Sequence, residues 1–184
     1  FEDEDWVSQV ATPHMRASVK DLLWPCMITT LEGAFMVVRE STHRWSTLSQ
    51  HHAVLGLKLP MLVTAVGRAY LAACQDEERD MLLKILAERG DETAAVARNR
   101  SVVMKMVRET RRRGYAVNDG EWSLEEKFSA IAVPVFCGPR LLAAINIVFP
   151  QDVVSPKDLK ARYATRLTML AHSIGSGSRS WIDE

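Results

Sequence analysis

The chain has 184 residues, 47% hydrophobic and 25% charged, enough for one domain with a real core. Lys+Arg and Asp+Glu each number 23, so a chain of zero formal net charge has no electrostatic reason of its own to sit on nucleic acid. No apolar stretch approaches the roughly 18 residues of a membrane span, since even 141–149 is only strand length.

The chain opens Phe1-Glu-Asp-Glu-Asp-Trp6, with neither Met nor a signal pattern. The expectation is that residue 1 lies inside a longer polypeptide and that an N-terminal domain is missing. Residues 1–24 form a helical segment in which Asp5 caps a first turn carrying Trp6 and Val10. Thr12-Pro13 reads as an N-cap with Pro at N1, followed by Met15, Val19, Leu22 and Leu23 at helical spacing. Pro13 should break or kink this segment, and Trp24-Pro25 ends it. Strands are expected over 26–31 and 34–40 around a Glu32-Gly33 turn, with a third over 44–50. A connector, 55–60, then ends in Pro.

Residues 61–74 read as a helix apolar almost all round, hence buried on most sides. Its Ala65, Gly67, Ala69, Ala72 and Ala73 admit close backbone approach. Asp76 should cap a second helix with Met81, Leu82, Ile85 and Leu86 on its stripe and Gly90 as its stop. After a polar loop, 91–97, a third helix spans 98–113, with Val102, Val103, Met106, Val107 and Thr110 on one face and Gly114 as its stop. Arg111-Arg112-Arg113 complements the macrodipole in its last turn. A short strand follows over 115–118.

Two apolar runs, 129–137 and 140–150, meet at Cys137-Gly-Pro-Arg140, which is turn chemistry. They predict an antiparallel pair. Ala130, Ala132, Ala143 and Ala144 leave room there for a helix or a ligand. Asn146, an amide among apolar neighbours, sits either on a wet face or in a pocket. Ser155-Pro156-Lys157-Asp158 resembles a capping box opening a last helix with Leu159, Tyr163, Leu167, Leu170, Ala171 and Ile174. The tail, 176–184, has flexible linker composition. The sum is one α+β domain over 25–175, its sheet of about six strands mostly antiparallel.

No phosphate-binding glycine loop, nucleophile elbow or zinc-protease motif is present. His43, His51 and His52 could meet Cys137 on a metal, but their spacing matches no standard zinc site. Cys26, Cys74 and Cys137 read as buried thiols of a reducing, cytoplasmic compartment. A cavity between the buried helix and the strand pair is the main candidate site. Asn118, Asn146, His51 and residues 125–127 are its candidate polar groups. The plain alternative is that the small residues only let helix and sheet approach.

Gly56-Leu-Lys-Leu-Pro60, Thr64-Ala-Val-Gly-Arg-Ala-Tyr-Leu71, Arg113-Gly-Tyr-Ala-Val-Asn118, Ser129-Ala-Ile-Ala-Val-Pro134 and Leu142-Ala-Ala-Ile-Asn-Ile147 follow in order. Together they resemble the C-terminal effector-binding domain of the IclR-type transcriptional regulators. That resemblance implies a GAF-like fold, no enzymatic activity and no cofactor. It also implies a homodimer or homotetramer, with DNA bound only through the absent winged helix-turn-helix domain. Val37-Val-Arg-Glu-Ser-Thr-His-Arg44, Lys58-Leu-Pro60 and Trp122-x-x-Glu-Glu-Lys127 are most similar to the regulators of hydroxyphenylpropionate breakdown, which implies an aromatic acid as effector.

The resemblance places the ligand site on His51, Ala65, Val66, Asn118, Glu126, Phe128, Asn146 and Val148. The ring would pack on Phe128, Val66 and Val148. The polar groups would meet Asn146, Asn118 and His51, the helix N-terminus, and Arg44 as a charge partner. Two other readings stay open: a GAF-type enzyme with a redox-active Cys74 or Cys137, and a structural oligomerisation domain.

Overall fold

Alternating apolar residues on a strand face opposite sides of a sheet, and two such strands joined by Gly138-Pro139 make the centre of this domain. The computed structural model describes residues 3–46 and 54–182. Strand β5 (Phe128–Cys137) pairs antiparallel with β6 (Arg140–Pro150), and Gly138 adopts φ +55° in the turn. Around them lie β1 (Cys26–Glu32), β2 (Phe35–Ser41), β3 (Lys58–Pro60) and β4 (Ala116–Asp119). The sheet order is β3-β2-β1-β6-β5-β4, with every neighbouring pair antiparallel.

The sheet has a core on each face. Met27, Met36, Val38, Ala116, Ala130, Ala132 and Ala144 pack under α3 (Ala65–Ala73), which is backed by α4 (Asp76–Glu88) and α6 (Arg100–Arg113). Ile28, Ile131, Val133, Val135, Ile145, Ile147 and Phe149 pack against the terminal helices. The first of these runs unbroken as α1 (Asp3–Trp6), a π-helical stretch Val7–Ala11, and α2 (Thr12–Leu22). The second runs as α7 (Pro156–Asp158), a π-helical stretch Leu159–Ala164, and α8 (Thr165–Gly177). The α+β, antiparallel reading of the sequence is the architecture found.

Several local expectations change. Pro13 does not break the first helix. The wider π turn before it absorbs the missing hydrogen bond, with the Thr12 N–H reaching back to the Val7 carbonyl. Thr12 therefore caps nothing, and its hydroxyl donates to Glu40 instead. Residues 43–45 form a 3-10 turn rather than a strand, and 47–50 lie outside the described residues. The connector before Pro60 contains β3, an edge strand, where Pro costs no ladder bond. The helix expected from residue 61 begins only at Ala65, capped by the Thr64 hydroxyl, which accepts from the Gly67 N–H at 3.3 Å. In α4 the buried stripe is Arg79, Leu82, Leu83 and Leu86, while Met81 and Ile85 are exposed. The loop after it holds a short helix, α5 (Ala94–Arg98).

The expected flexible tail is helical as far as Ile182, through α9 (Arg179–Ile182). Its Gly177 lies close to Val10 and His14 of the first helix. Just before it, a Cβ on Gly175 would collide with the Phe136 carbonyl, so α8 rests directly on the β5 backbone. Ser178 is fully buried, and its hydroxyl accepts from the Trp6 indole N–H at 2.7 Å. No helix among the described residues is long and apolar enough to cross a membrane.

Candidate functional site

The β-register builds a gap on the α3 face of the sheet. Asn118, Ala130 and Val148 lie in one cross-strand row over β4, β5 and β6. Ala116, Ala132, Asn146 and Met27 lie in the next. The middle strand thus offers two alanines between two amides. Helix α3 does not close the gap, because it starts only at Ala65. Before it the chain turns tightly at Met61, where a Cβ on Gly67 would meet the Met61 backbone. The result is a cavity of about 60 Å³ lined by Asn118, Phe128, Ser129, Ala130, Asn146, Val148 and Met27 from the sheet. Thr64 and Ala65 roof it, and His43, Val54, Leu57, Leu59 and Trp122 wall its sides.

Both amides are oriented by backbone donors. The Met27 N–H donates to Asn146 Oδ1 at 3.1 Å, and the Glu121 N–H to Asn118 Oδ1 at 3.1 Å. A backbone N–H cannot accept, so each contact identifies the oxygen and leaves the NH2 for something else. Neither NH2 has a protein partner among the described residues. The first two amides of α3, those of Ala65 and Val66, lack an intrahelical acceptor, as at any helix start. None of the described lining residues is Asp, Glu, Lys or Arg. The cavity is therefore apolar, with N–H donors at its edges and no carboxylate.

Arg68 holds this rim together. Its guanidinium donates to the Leu62 carbonyl at 2.9 Å, the Val117 carbonyl at 2.8 Å and the Glu121 carboxylate at 3.1 Å. Partial burial alone would raise the Glu121 pKa. The Asp119 N–H and the Arg68 charge outweigh it and hold that carboxyl below its usual range. Glu121 thus stays ionised as the brace beneath Asn118.

Of the sequence-predicted site residues, Ala65, Asn118, Phe128, Asn146 and Val148 come together on this one cavity. Val66 does not line it. One helical step of about 100° turns it into the core, where it is fully buried. Glu126 is exposed and also lies off the lining, just after the 3-10 turn Ser123–Glu125. His51 lies outside the described residues. Arg44 is not a charge partner for the cavity, since it pairs with Glu40 at 3.2 Å and stacks on Trp45.

Sequence reasoning missed Trp122, Met27, Thr64, Leu57 and Leu59 as lining, although Trp122 stood in a motif already noted. It treated His43 only as a metal candidate. His43 lines the cavity and bonds the Ser41 hydroxyl, whereas Cys137 belongs to the core on the other face. The two do not converge, and no group of three metal-ligating side chains occurs among the described residues. The redox alternative named Cys74 or Cys137, which belong to the cores on opposite faces of the sheet. All three cysteines are buried and none lines the cavity. Burial pushes the Cys74 thiol up to about 11 and Cys26 higher still, so neither carries a thiolate near neutrality.

Residues 4–176 match the model of the family described as bacterial transcriptional regulator IclR, C-terminal. The fold is similar to that of an IclR family transcriptional regulator from Brucella abortus, at TM-score 0.74 and 23% identity over 92% of this chain. This chain spans 62% of that protein's length. It is similar also to the C-terminal domain of the E. coli regulator KdgR, at TM-score 0.73 and 22% identity over 94% of this chain and 98% of that one. A third similar structure is the inducer-binding domain of PobR from Acinetobacter, a double mutant in complex with 3-hydroxybenzoic acid. Its TM-score is 0.72 at 21% identity over 92% of this chain and 97% of that one. With 4–176 under the family model and the helix-roofed cavity in place, the chain belongs to the C-terminal domain family of the bacterial IclR transcriptional regulators.

Proposed function

We propose that this domain senses an aromatic carboxylic acid in the cavity between α3 and the sheet. Its occupancy would then be passed to a DNA-binding domain elsewhere in the same polypeptide, within a homodimer or homotetramer. The observation that carries the reading is the set of donors without acceptors. The NH2 groups of Asn118 and Asn146 and the Ala65 N–H at the start of α3 border an apolar cavity with no carboxylate among its described lining residues. Such a site favours an anion with an apolar body. Phe128, Trp122, Leu57, Leu59 and Val148 supply the apolar wall. The similar PobR domain is a complex with 3-hydroxybenzoic acid.

At about 60 Å³ the cavity is smaller than an engineered cavity of roughly 150 Å³ that takes up benzene, so a ring needs side chains to move. On this reading the aromatic ring enters as walls such as Trp122 and Leu57 move apart. That volume favours a second reading, a two- or three-carbon keto acid bound with little rearrangement.

A thermal-shift series separates them. 3-Hydroxybenzoate and 3-phenylpropionate are run beside glyoxylate and pyruvate. A ligand at 100 times its Kd adds about 2.7 kcal/mol, roughly 5–10 °C for a chain this long. A shift with the aromatic acids alone is the expected result. A shift with glyoxylate or pyruvate alone would replace the proposed effector class. No shift with either group would sink the aromatic-acid sensor reading.

A further inference from the structure

The short segment at the end of β2 touches both faces of the sheet. On one side His43 lines the cavity. On the other side the same seven residues, 40–46, grip the N-terminal helix along its length. Glu40 accepts from the Thr12 hydroxyl at 3.0 Å. Trp45 has the Arg16 guanidinium over its ring at 4.5 Å and the Arg44 guanidinium at 4.3 Å. The Ser46 hydroxyl donates to the Leu23 carbonyl at 3.2 Å, just past the helix end.

The segment is internally stiff. Glu40 also accepts from the Ser41 N–H at 2.8 Å and from Arg44 at 3.2 Å. Thr42 is locked to Cys26 in both directions, by its N–H at 2.9 Å and by its hydroxyl, which accepts at 2.8 Å. The Trp45 and Ser46 N–H groups both close on the Thr42 carbonyl at 2.9 Å, making the 3-10 turn His43–Trp45. His43 and Trp45 are thus two positions of one turn, so a shift of its backbone carries both side chains.

We propose that residues 40–46 are the coupling element that links the side-chain arrangement in the cavity to the seating of α2. Moving His43 shifts the turn, and the turn shifts Trp45 against Arg16 and Glu40 against Thr12. A chain of packed groups with alternative arrangements is what transmission between two sites requires. The inference rests on the proposed sensing function only for the identity of what fills the cavity.

The test is amide hydrogen exchange of residues 12–22 in four proteins: wild type, His43→Ala, Thr12→Val and Arg16→Ala. Each is measured with and without 3-hydroxybenzoate, and binding is followed by calorimetry. His43→Ala, without ligand, is expected to change exchange across 12–22 by about tenfold. Ligand is expected to do the same in the wild type. Thr12→Val and Arg16→Ala lie off the cavity. They should keep the ligand Kd within about threefold and lose the ligand-driven change in α2. Unchanged exchange at 12–22 in His43→Ala overturns the coupling, as does an intact ligand-driven change in both helix variants. If 3-hydroxybenzoate fails to bind the wild type, the choice of effector falls, and the ligand-free His43→Ala result decides the coupling by itself.

Discussion

Met27 gives its backbone N–H to the side chain of Asn146, its direct cross-strand neighbour, at 3.1 Å. The bond adds a second acceptor to a strand donor that the ladder already pairs, and it fixes which end of the amide meets the cavity. Asn146→Leu removes that second acceptor and the NH2, and leaves the ladder in place. The expected loss is about 0.5–1.5 kcal/mol of stability by urea unfolding. Asn146→Asp keeps the acceptor but replaces the NH2 donor by a buried charge with no cation on the described lining. It should lose acid binding by about 10-fold or more in calorimetry.

Ala130 is the floor of the cavity, in register between Asn118 and Val148. Ala130→Val puts two methyl groups into space that is otherwise unfilled. Stability is expected to stay within about 1 kcal/mol of the parent. Binding of any acid in this cavity should fall below detection. A full-affinity Ala130→Val protein would place the ligand elsewhere.

Gly67 sits where α3 folds back over Met61, and a Cβ there meets the Met61 backbone. Backbone cannot rotate aside as a side chain does. Gly67→Ala is expected to cost about 1–3 kcal/mol or more and to shift the start of α3. Urea unfolding gives the stability change. A titration of the remaining folded protein shows whether the donor at Ala65 has moved.

Cys74 caps the far end of α3, its thiol donating to the Leu71 carbonyl at 3.6 Å. Its pKa rises from 9.0 to about 11, with burial as the main cause. The unfolded chain therefore releases this proton first as pH rises. The stabilisation is fully present below about pH 9 and is lost towards pH 11. Unfolding midpoints measured from pH 8 to 11 should fall across that window, less steeply in Cys74→Ala. Iodoacetamide at pH 8 should leave Cys74 untouched in the folded protein and alkylate it in urea.

The sequence carried the central strand pair openly, because period-two apolar runs around Gly138-Pro139 have few other foldings. It carried Asn118 and Asn146 for a related reason. An amide amid buried neighbours must find partners, and here a backbone N–H supplied each. What stayed hidden depended on long-range contact. Residues 176–180 read as a flexible tail by composition, yet they lie in helix and turn, with Ser178 buried against a Trp6 that is far from it in sequence. Val66 looked equivalent to Ala65 until the helix start was fixed, and one residue of helical rotation then separated core from cavity. Trp122 lines the cavity through the Arg68–Glu121 brace at its rim, a contact spanning 53 positions that no local pattern records.

The bond from Trp6 to Ser178 joins residues 172 positions apart, and it bears on how the domain is made as well as on how it stands. The first helix has its main seat on α8, among the last parts to be synthesised. A ribosome adding about 5–20 residues per second takes roughly 10–30 s to cover that span. For that time Trp6, Val7, Val10 and Met15 are an apolar face without its partner. The α3 half of the sheet cannot finish early either, because β1 needs β6 beside it. Folding of this domain therefore waits for its own C-terminal end. A stalled or shortened nascent chain would present a sticky amphipathic helix to chaperones instead of a half-built sensor.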